Sequence, residues 1–266
     1  MVNIIVAGAA GRMGARIIDV IGQTDGVKLA GAFEHPESPS IGQDAGIAAG
    51  LGAIGINITG SIDKVINQGD VVIDFTSPKA TLENIKAVSS KGLSMVIGTT
   101  GMTGDLLEEV ERIARGIRCV ISPNMSVGVN VMLRVAAMMA EILGDDYDME
   151  IVEAHHRLKK DAPSGTAMAI ARTLARASGR DLDKVAVYER KGITGERTKE
   201  EIGIQTLRAG DITGDHTIMF GGIGERLELI HRAHNRDNFA RGAVRAARWI
   251  VEQPVGLYNM QDVLGI

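Results

Sequence analysis

The run Glu153-Ala154-His155-His156-Arg157-Leu158-Lys159-Lys160-Asp161-Ala162-Pro163-Ser164-Gly165-Thr166 crowds two imidazoles, several cations and a helix start into one short segment. It follows an apolar strand, Ile151-Val152, so the paired histidines and Lys159 sit where protons could be offered to a ligand. Pro163-Ser164-Gly165-Thr166 then opens an Ala-rich stretch, Ala167 to Leu174, which has no breaker and reads as a helix. A helix N-terminus leaves backbone N–H groups unpaired, and glycine at the entry lets a carboxylate or phosphate approach them. Proton donors beside an anion seat describe a site for a small acidic substrate. The plain alternative is a basic loop and an ordinary capped helix. A solvated loop, however, needs neither adjacent imidazoles nor a glycine at the helix entry.

A second group of residues lies near the start of the chain. Gly8-Ala9-Ala10-Gly11-Arg12-Met13-Gly14 separates an aliphatic strand, Ile4 to Ala7, from a helical stretch, Arg16 to Ile21. Glycines here allow a tight turn, and the following helix presents its amides to a dinucleotide pyrophosphate. The spacing is G-x-x-G-x-x-G, so its place between strand and helix carries the argument more than the pattern does. Glu34 stands twenty positions past Gly14, at the end of the strand Val27 to Phe33, where an acid would hold ribose hydroxyls. Gly98-Thr99-Thr100-Gly101 and Ser122-Pro123-Asn124-Met125-Ser126 end two later strands. Ligands of open α/β sheets bind beyond the carboxyl ends of strands, so both loops are candidates for the nicotinamide side.

The elements that must position these residues follow two grammars. Up to about residue 125, strands and helices alternate: strand Val71 to Phe75, helix from Pro78 to Lys91-Gly92, strand Met95 to Ile97, helix Asp105 to Arg115, strand Arg118 to Ile121. Such alternation specifies a parallel, doubly wound sheet. Beyond it come a long helix, Val129 to Leu143, the strand Met149 to Ala154 and the helix opening at Ser164. Four strand-like runs follow with little helix between them: Val185 to Tyr188, Ile202 to Leu207, His216 to Phe220 and Arg226 to Ile230. This is the pattern of an α+β unit with a mixed or antiparallel sheet. Asp237-Asn238 is placed to cap a final helix, Phe239 to Glu252, stopped by Pro254, and only Gly42 to Gly60 reads as loose.

Composition excludes several classes. With 33 glycines and 3% aromatics, the core must be built from aliphatic residues and Met, as in parallel sheets covered by helices. A net charge of −4 argues against nucleic acid as a partner. The single cysteine, Cys119, cannot form an intrachain disulfide. The longest apolar helix is interrupted by Asn130, Arg134 and Glu141, and the N-terminus lacks the basic start of a signal peptide, so a cytoplasmic protein away from membranes is expected. No metal site is expected, because His155-His156 lacks the i, i+4 spacing that puts two ligands on one helix face.

The motifs G-A-A-G-R-M-G, G-T-T-G, S-P-N-M-S-V-G-V-N and E-A-H-H-R-L-K-K-D-A-P-S-G-T together resemble the bacterial 4-hydroxy-tetrahydrodipicolinate reductases, formerly dihydrodipicolinate reductases, over essentially the whole chain. The resemblance implies a Rossmann-type domain from residues 1–126 plus 237–266, with a substrate-binding and oligomerisation domain, 127–236, that forms homotetramers through its sheet. It implies that NADH or NADPH delivers hydride to a cyclic dicarboxylate of the diaminopimelate and lysine pathway, with loss of water. His155 would be the general acid and Lys159 the second proton donor, while His156, Gly165 and Thr166 would hold substrate carboxylates. Gly8, Ala9, Ala10, Gly11, Arg12, Met13, Glu34, His35, Gly98, Thr99, Thr100, Ser122, Pro123, Asn124 and Met125 would line the cofactor. The chain departs from the family where Met125 replaces a common aromatic residue, His35 a common Arg and Leu158 a commonly polar residue. The competing readings are another two-domain NAD(P) amino-acid dehydrogenase and a non-catalytic NAD(P)-sensing regulator. The first lacks a counterpart of the His155–Thr166 stretch, and the second would need no proton donors.

Overall fold

A strand covered on both faces has no polar side to show, and Ile4, Ile5 and Val6 are accordingly fully buried. They form the centre of β1 (Val2–Ala7) in a computed structural model that describes residues 1–266. The chain continues through α1 (Arg12–Gly22), β2 (Val27–Phe33), α2 (Ala45–Ala48), β3 (Ile58–Thr59), β4 (Val71–Asp74), α3 (Pro78–Lys91), β5 (Ser94–Ile97), α4 (Gly104–Ala114) and β6 (Arg118–Ile121). Next come α5 (Val127–Leu143), β7 (Asp148–His155), α6 (Gly165–Ala177), α7 (Leu182–Val185), β8 (Ala186–Val187), β9 (Ile202–Arg208), β10 (Gly214–Gly221) and β11 (Arg226–Ala233). It ends with α8 (Asp237–Ile250), β12 (Gly256–Tyr258) and α9 (Met260–Leu264). Two compact units result, Met1–Val127 with Arg236–Ile266, and Gly128–Asn235.

In the first unit, seven parallel strands run in the order β12-β6-β5-β4-β1-β2-β3. Alternation along β1 divides the core. Ile4 and Val6 pack with Ile17, Ile18 and Ile21 of α1 and Ala243, Val244 and Ala247 of α8, whereas Ile5 and Ala7 pack with Ile85 and Val88 of α3 and Val110 of α4. Strand order reverses between β1 and β4, which places a crevice at the carboxyl ends of those two strands. The stretch 42–60 is more ordered than its composition implies. Asp44 caps α2 by accepting from the amides of Gly46 and Ile47, and β3 completes the sheet edge.

The C-terminal segment differs from its sequence reading in two ways. α8 begins at Asp237, whose carboxylate accepts from the Arg16 Nε and Nη2 at 2.6 and 2.8 Å; no side chain caps the helix. Beyond Pro254 the chain adds β12 at the outer edge of the sheet and then α9, which an Asn259–Asp262 capping box opens. Three residues of strand are too short to show a period.

The second unit is a mixed sheet in the order β11-β10-β7-β9-β8, with β7, β8 and β9 parallel and β10 antiparallel to both its neighbours. One face, with Met149, Ile151, Ile204, Ile218 and Phe220, packs on Met132, Ala136 and Ala140 of α5 and on Ala167, Ile170 and Leu174 of α6. No element of the unit covers the other face, where Leu207 and Ile230 are 54% and 46% exposed. Val185 closes α7 instead of opening a strand, so only Ala186 and Val187 pair there. With its following turn, α5 spans Val127–Asp146, 20 residues that include an 18-residue window of mean hydropathy 1.5, longer than the interrupted run read from the sequence and enough by length and composition to cross a bilayer. Packing decides its place: one face belongs to the core of this unit.

Candidate active site

The turn after β1 has the geometry of a dinucleotide seat. Gly8 adopts φ +66°, a region closed to most side chains. A Cβ on Gly14 would lie 2.1 Å from the Gly8 carbonyl oxygen, so only glycine lets α1 pack this close to the turn. The first turn of α1 has no side-chain cap, which leaves its amides to a ligand. Glu34 accepts from the Ala10 amide at 3.2 Å and the His35 amide at 3.0 Å, so its carboxylate is fixed against the turn. A cavity of about 590 Å³ opens here, lined by Gly8, Gly11, Glu34 and His35. Its other walls are Gly60 to Asp63 after β3, Phe75 to Ser77 after β4, and Ala80, Glu83, Asn84 and Ala87 of α3. The loop after β4 carries no glycine motif to mark it in the sequence, yet it too lies at the carboxyl end of a parallel strand, where ligands of such sheets bind. No lining residue is Lys or Arg, whereas Glu34, Asp63 and Glu83 are carboxylates.

The other nicotinamide-side candidates do not line this cavity. Gly98 lies against Phe75, whose ring a Cβ would meet at 2.2 Å. Thr99 is 5% exposed and its hydroxyl is engaged internally: it accepts from the Thr76 amide and the Thr81 hydroxyl and lies 3.2 Å from the buried Asp74 carboxylate. Thr100 is exposed at the end of the same loop, and Arg12 and Met13 open α1. The Ser122 hydroxyl donates to the Asn124 carbonyl, and the Asn124 side chain accepts from the Ser126 amide, which curls Ser122-Pro123-Asn124 into a compact turn. Met125 is 1% exposed in the core beside α8, its carbonyl oxygen just 1.7 Å from where a Cβ on Gly242 would be. A flexible thioether therefore fills core volume at this position.

In the second unit the inner face of β7 changes character along its length. Met149 and Ile151 are apolar; Glu153 and His155, two and four residues on, point the same way beneath the start of α6. Glu153 is fully buried and accepts five hydrogen bonds: His155 Nδ1 at 2.5 Å, the Ser164 amide at 3.0 Å, Thr206 Oγ1 at 3.2 Å, and Arg208 Nη1 and Nη2 at 2.9 and 3.0 Å. Sheet register explains the convergence, because Glu153 lies opposite Thr206 and His216, and His155 opposite Arg208. Ser164 caps α6 by accepting from the Ala167 amide at 3.1 Å, and its hydroxyl lies 3.1 Å from His216 Nε2. A Cβ on Gly165 would meet nothing within 4 Å, so space adjoins the helix entry, with Thr166 next along it. Lys159 places its ammonium 2.9 Å from both oxygens of Asp161. The buried Nδ1 of His156 has no partner, an acceptor or donor available to a ligand. Leu158 is 78% exposed.

Electrostatics favour a neutral imidazole at His155. Burial lowers His155, Glu153 opposes this, and Lys159 and Arg208 add to the lowering, leaving the group below its ordinary value. Burial alone would raise Glu153, but Arg208, His155 and the Ser164 amide outweigh it and hold the carboxyl ionised. His216 is pushed down to about 4, chiefly by burial. Lys159 holds Asp161 below the usual carboxylate range. No cluster of three or more His, Cys, Asp or Glu side chains is arranged to hold a metal ion.

A doubly wound nucleotide-binding unit, joined to a mixed-sheet unit with a carboxylate-held imidazole at a helix start, defines a two-domain Rossmann-type protein. Two family models match, "Dihydrodipicolinate reductase, N-terminus" over residues 2–125 and "Dihydrodipicolinate reductase, C-terminus" over 128–264. The chain belongs to the dihydrodipicolinate reductase family. It is 54% identical over 265 residues to the 4-hydroxy-tetrahydrodipicolinate reductase of Syntrophus aciditrophicus, covering 100% of this chain and 99% of the relative. It is 55% identical over 266 residues to that of Citrifermentans bemidjiense, with 100% of both chains covered. Among solved structures, a dipicolinate-bound dihydrodipicolinate reductase from Paenisporosarcina sp. TG-14 superposes with a TM-score of 0.77 at 23% identity, covering 98% of each chain, a likeness of fold.

Proposed function

We propose that the protein reduces 4-hydroxy-tetrahydrodipicolinate, by way of dihydrodipicolinate, to tetrahydrodipicolinate in diaminopimelate and lysine biosynthesis. Family membership over the whole chain supports the reaction class, and the end of β7 carries the residue assignments: Glu153-held His155, Lys159 and the start of α6 lie in one unit. NADH or NADPH is the cofactor, and it supplies the hydride when bound. The pyrophosphate fits the Gly8–Met13 turn, where glycine conformation and uncapped α1 amides are what such a group needs, and Glu34 is placed for the adenosine ribose.

His156 and the amides of Gly165 and Thr166 hold the substrate carboxylates. Their negative charge raises His155 towards its protonated form, so the acid is charged when the substrate is present. His155 then donates a proton as the ring takes up hydride, and Lys159 acts as second donor and stabilises developing negative charge. Water leaves from the hydroxylated carbon, so one substrate, one reduced nicotinamide and one proton give product, oxidised nicotinamide and water. The enzyme works in the cytoplasm as a homotetramer associated through the uncovered face of the second unit's sheet. The test is oxidation of NADH and NADPH, followed at the nicotinamide absorbance, with and without the product of the upstream aldol-condensing synthase. Oxidation that does not depend on that product overturns the reading.

A further inference from the structure

Glu153 gathers more hydrogen bonds than any assigned site residue, yet it is fully buried and faces no open space. One oxygen takes the His155 Nδ1 and Arg208 Nη1; the other takes the Ser164 amide, Thr206 hydroxyl and Arg208 Nη2. The residue therefore bonds directly to two parts of the site, the imidazole that ends β7 and the residue that caps α6. Arg208 secures it from β9, with a further bond from Nη2 to the Asp161 carbonyl at 2.7 Å.

We propose that Glu153 is a positioning residue, which fixes His155 with Nδ1–H directed to its carboxylate and Nε2 as the proton-transferring atom, and which holds the start of α6 in register with that ring. An ionised carboxylate only accepts, so the shared hydrogen belongs to His155 Nδ1. Nε2 is then the atom that carries the transferable proton. It faces Gly214, where a Cβ would stand 3.0 Å away, so glycine there keeps that edge of the ring clear. The charged and titratable groups around His155 are Glu153 on β7, Lys159 in the following loop, Arg208 on β9 and His216 on β10, with His231 on β11 beyond His216. Glu153 is the anion among them that bonds the ring directly. Without it, Arg208 and Lys159 would disfavour the protonated imidazole.

The inference rests on His155 being the proton donor, and the test separates the two. Nitrogen-15 NMR of the imidazoles of the full-length enzyme, with His155→Gln used for assignment, reads the tautomer directly. Neutral His155 is expected as the Nδ1–H form; an Nε2–H form overturns the proposal without recourse to any Glu153 variant. In kinetics, Glu153→Gln is expected to lower kcat by roughly 10–10²-fold, less than the 10²–10⁴-fold typical of losing a general acid. The fall of kcat on the alkaline side should move to lower pH by about one unit, and pyridine-2,6-dicarboxylate should bind more weakly while NADH binding holds. Glu153→Asp, which keeps the charge, should recover much of the wild-type alkaline limb. Glu153→Gln with an unchanged limb and unchanged His155 titration overturns the positioning role. Wild-type turnover in His155→Gln instead refutes the acid assignment, whatever the tautomer.

Discussion

Lys159 rests with its ammonium shared between both oxygens of Asp161, while His155 is locked to Glu153, so the two proposed donors differ in freedom. His155→Gln and Lys159→Ala should each lower kcat by about 10²–10⁴-fold and leave NADH affinity nearly unchanged, because neither belongs to the first unit. Steady-state kinetics with cofactor titration checks this; wild-type turnover in either variant removes that residue from the mechanism. At the other seat, Glu34, Asp63 and Glu83 surround a cavity that no Lys or Arg lines. A 2′-phosphate would meet like charge there, so both cofactors should work with a lower Km for NADH. Asp63→Asn and Glu83→Gln should each lower the NADPH Km by about 2–5-fold, the scale of partly exposed charge pairs. Steady-state Km values for both cofactors check this, and a strong NADPH preference would mean that residues elsewhere read the phosphate.

The start of α6 and the strand beside it are where single elements can be tested. Thr166→Pro removes an amide from the proposed carboxylate seat, and Gly165→Val fills the open space next to it. Both should weaken pyridine-2,6-dicarboxylate binding, by tenfold or so for loss of a charge-assisted hydrogen bond, with dinucleotide binding intact. Calorimetry decides, and unchanged affinity in both places the dicarboxylate elsewhere. On β10, His216 is 4% exposed and depressed to about 4. Its folded-state value lies below the unfolded one, near 6.5, so the folded state binds fewer protons and stability falls as pH drops from about 6.5 to 4. The loss is on the order of 2–3 kcal/mol at about 1.4 kcal/mol per unit. His216→Gln should flatten the denaturation profile over that window; an unchanged pH slope would place the acid sensitivity in other groups.

At the scale of the molecule, the second unit has helices on one face of its sheet only. The other face carries Val152, Ala154, Thr217 and Met219, with Leu207 and Ile230 more exposed. If copies associate there, sedimentation should give four times the 28.2 kDa chain mass, and Ile230→Asp with Thr217→Asp should reduce it. A monomeric wild type, or an unaltered assembly in the double variant, rejects that surface.

Local chemistry made much of this protein legible from its sequence. Solid aliphatic runs marked the buried parallel strands, glycines marked the turn after β1, and the Glu153–Thr166 motif marked the proton donors and helix start. These signals depend on neighbours within a few residues, where backbone sterics and burial act directly. Only the tertiary structure decided what depends on strands meeting. Thr206 and Arg208 are unremarkable in the sequence and reach Glu153 through the β7–β9 register. Asp237 looked like a cap and instead takes up Arg16, 221 residues away. Thr99 had the position of a ligand contact, but its hydroxyl is held with Asp74 and Thr81. A hydrogen bond needs only two groups within about 3 Å, and long-range strand pairing brings them there without leaving a periodic trace in the sequence.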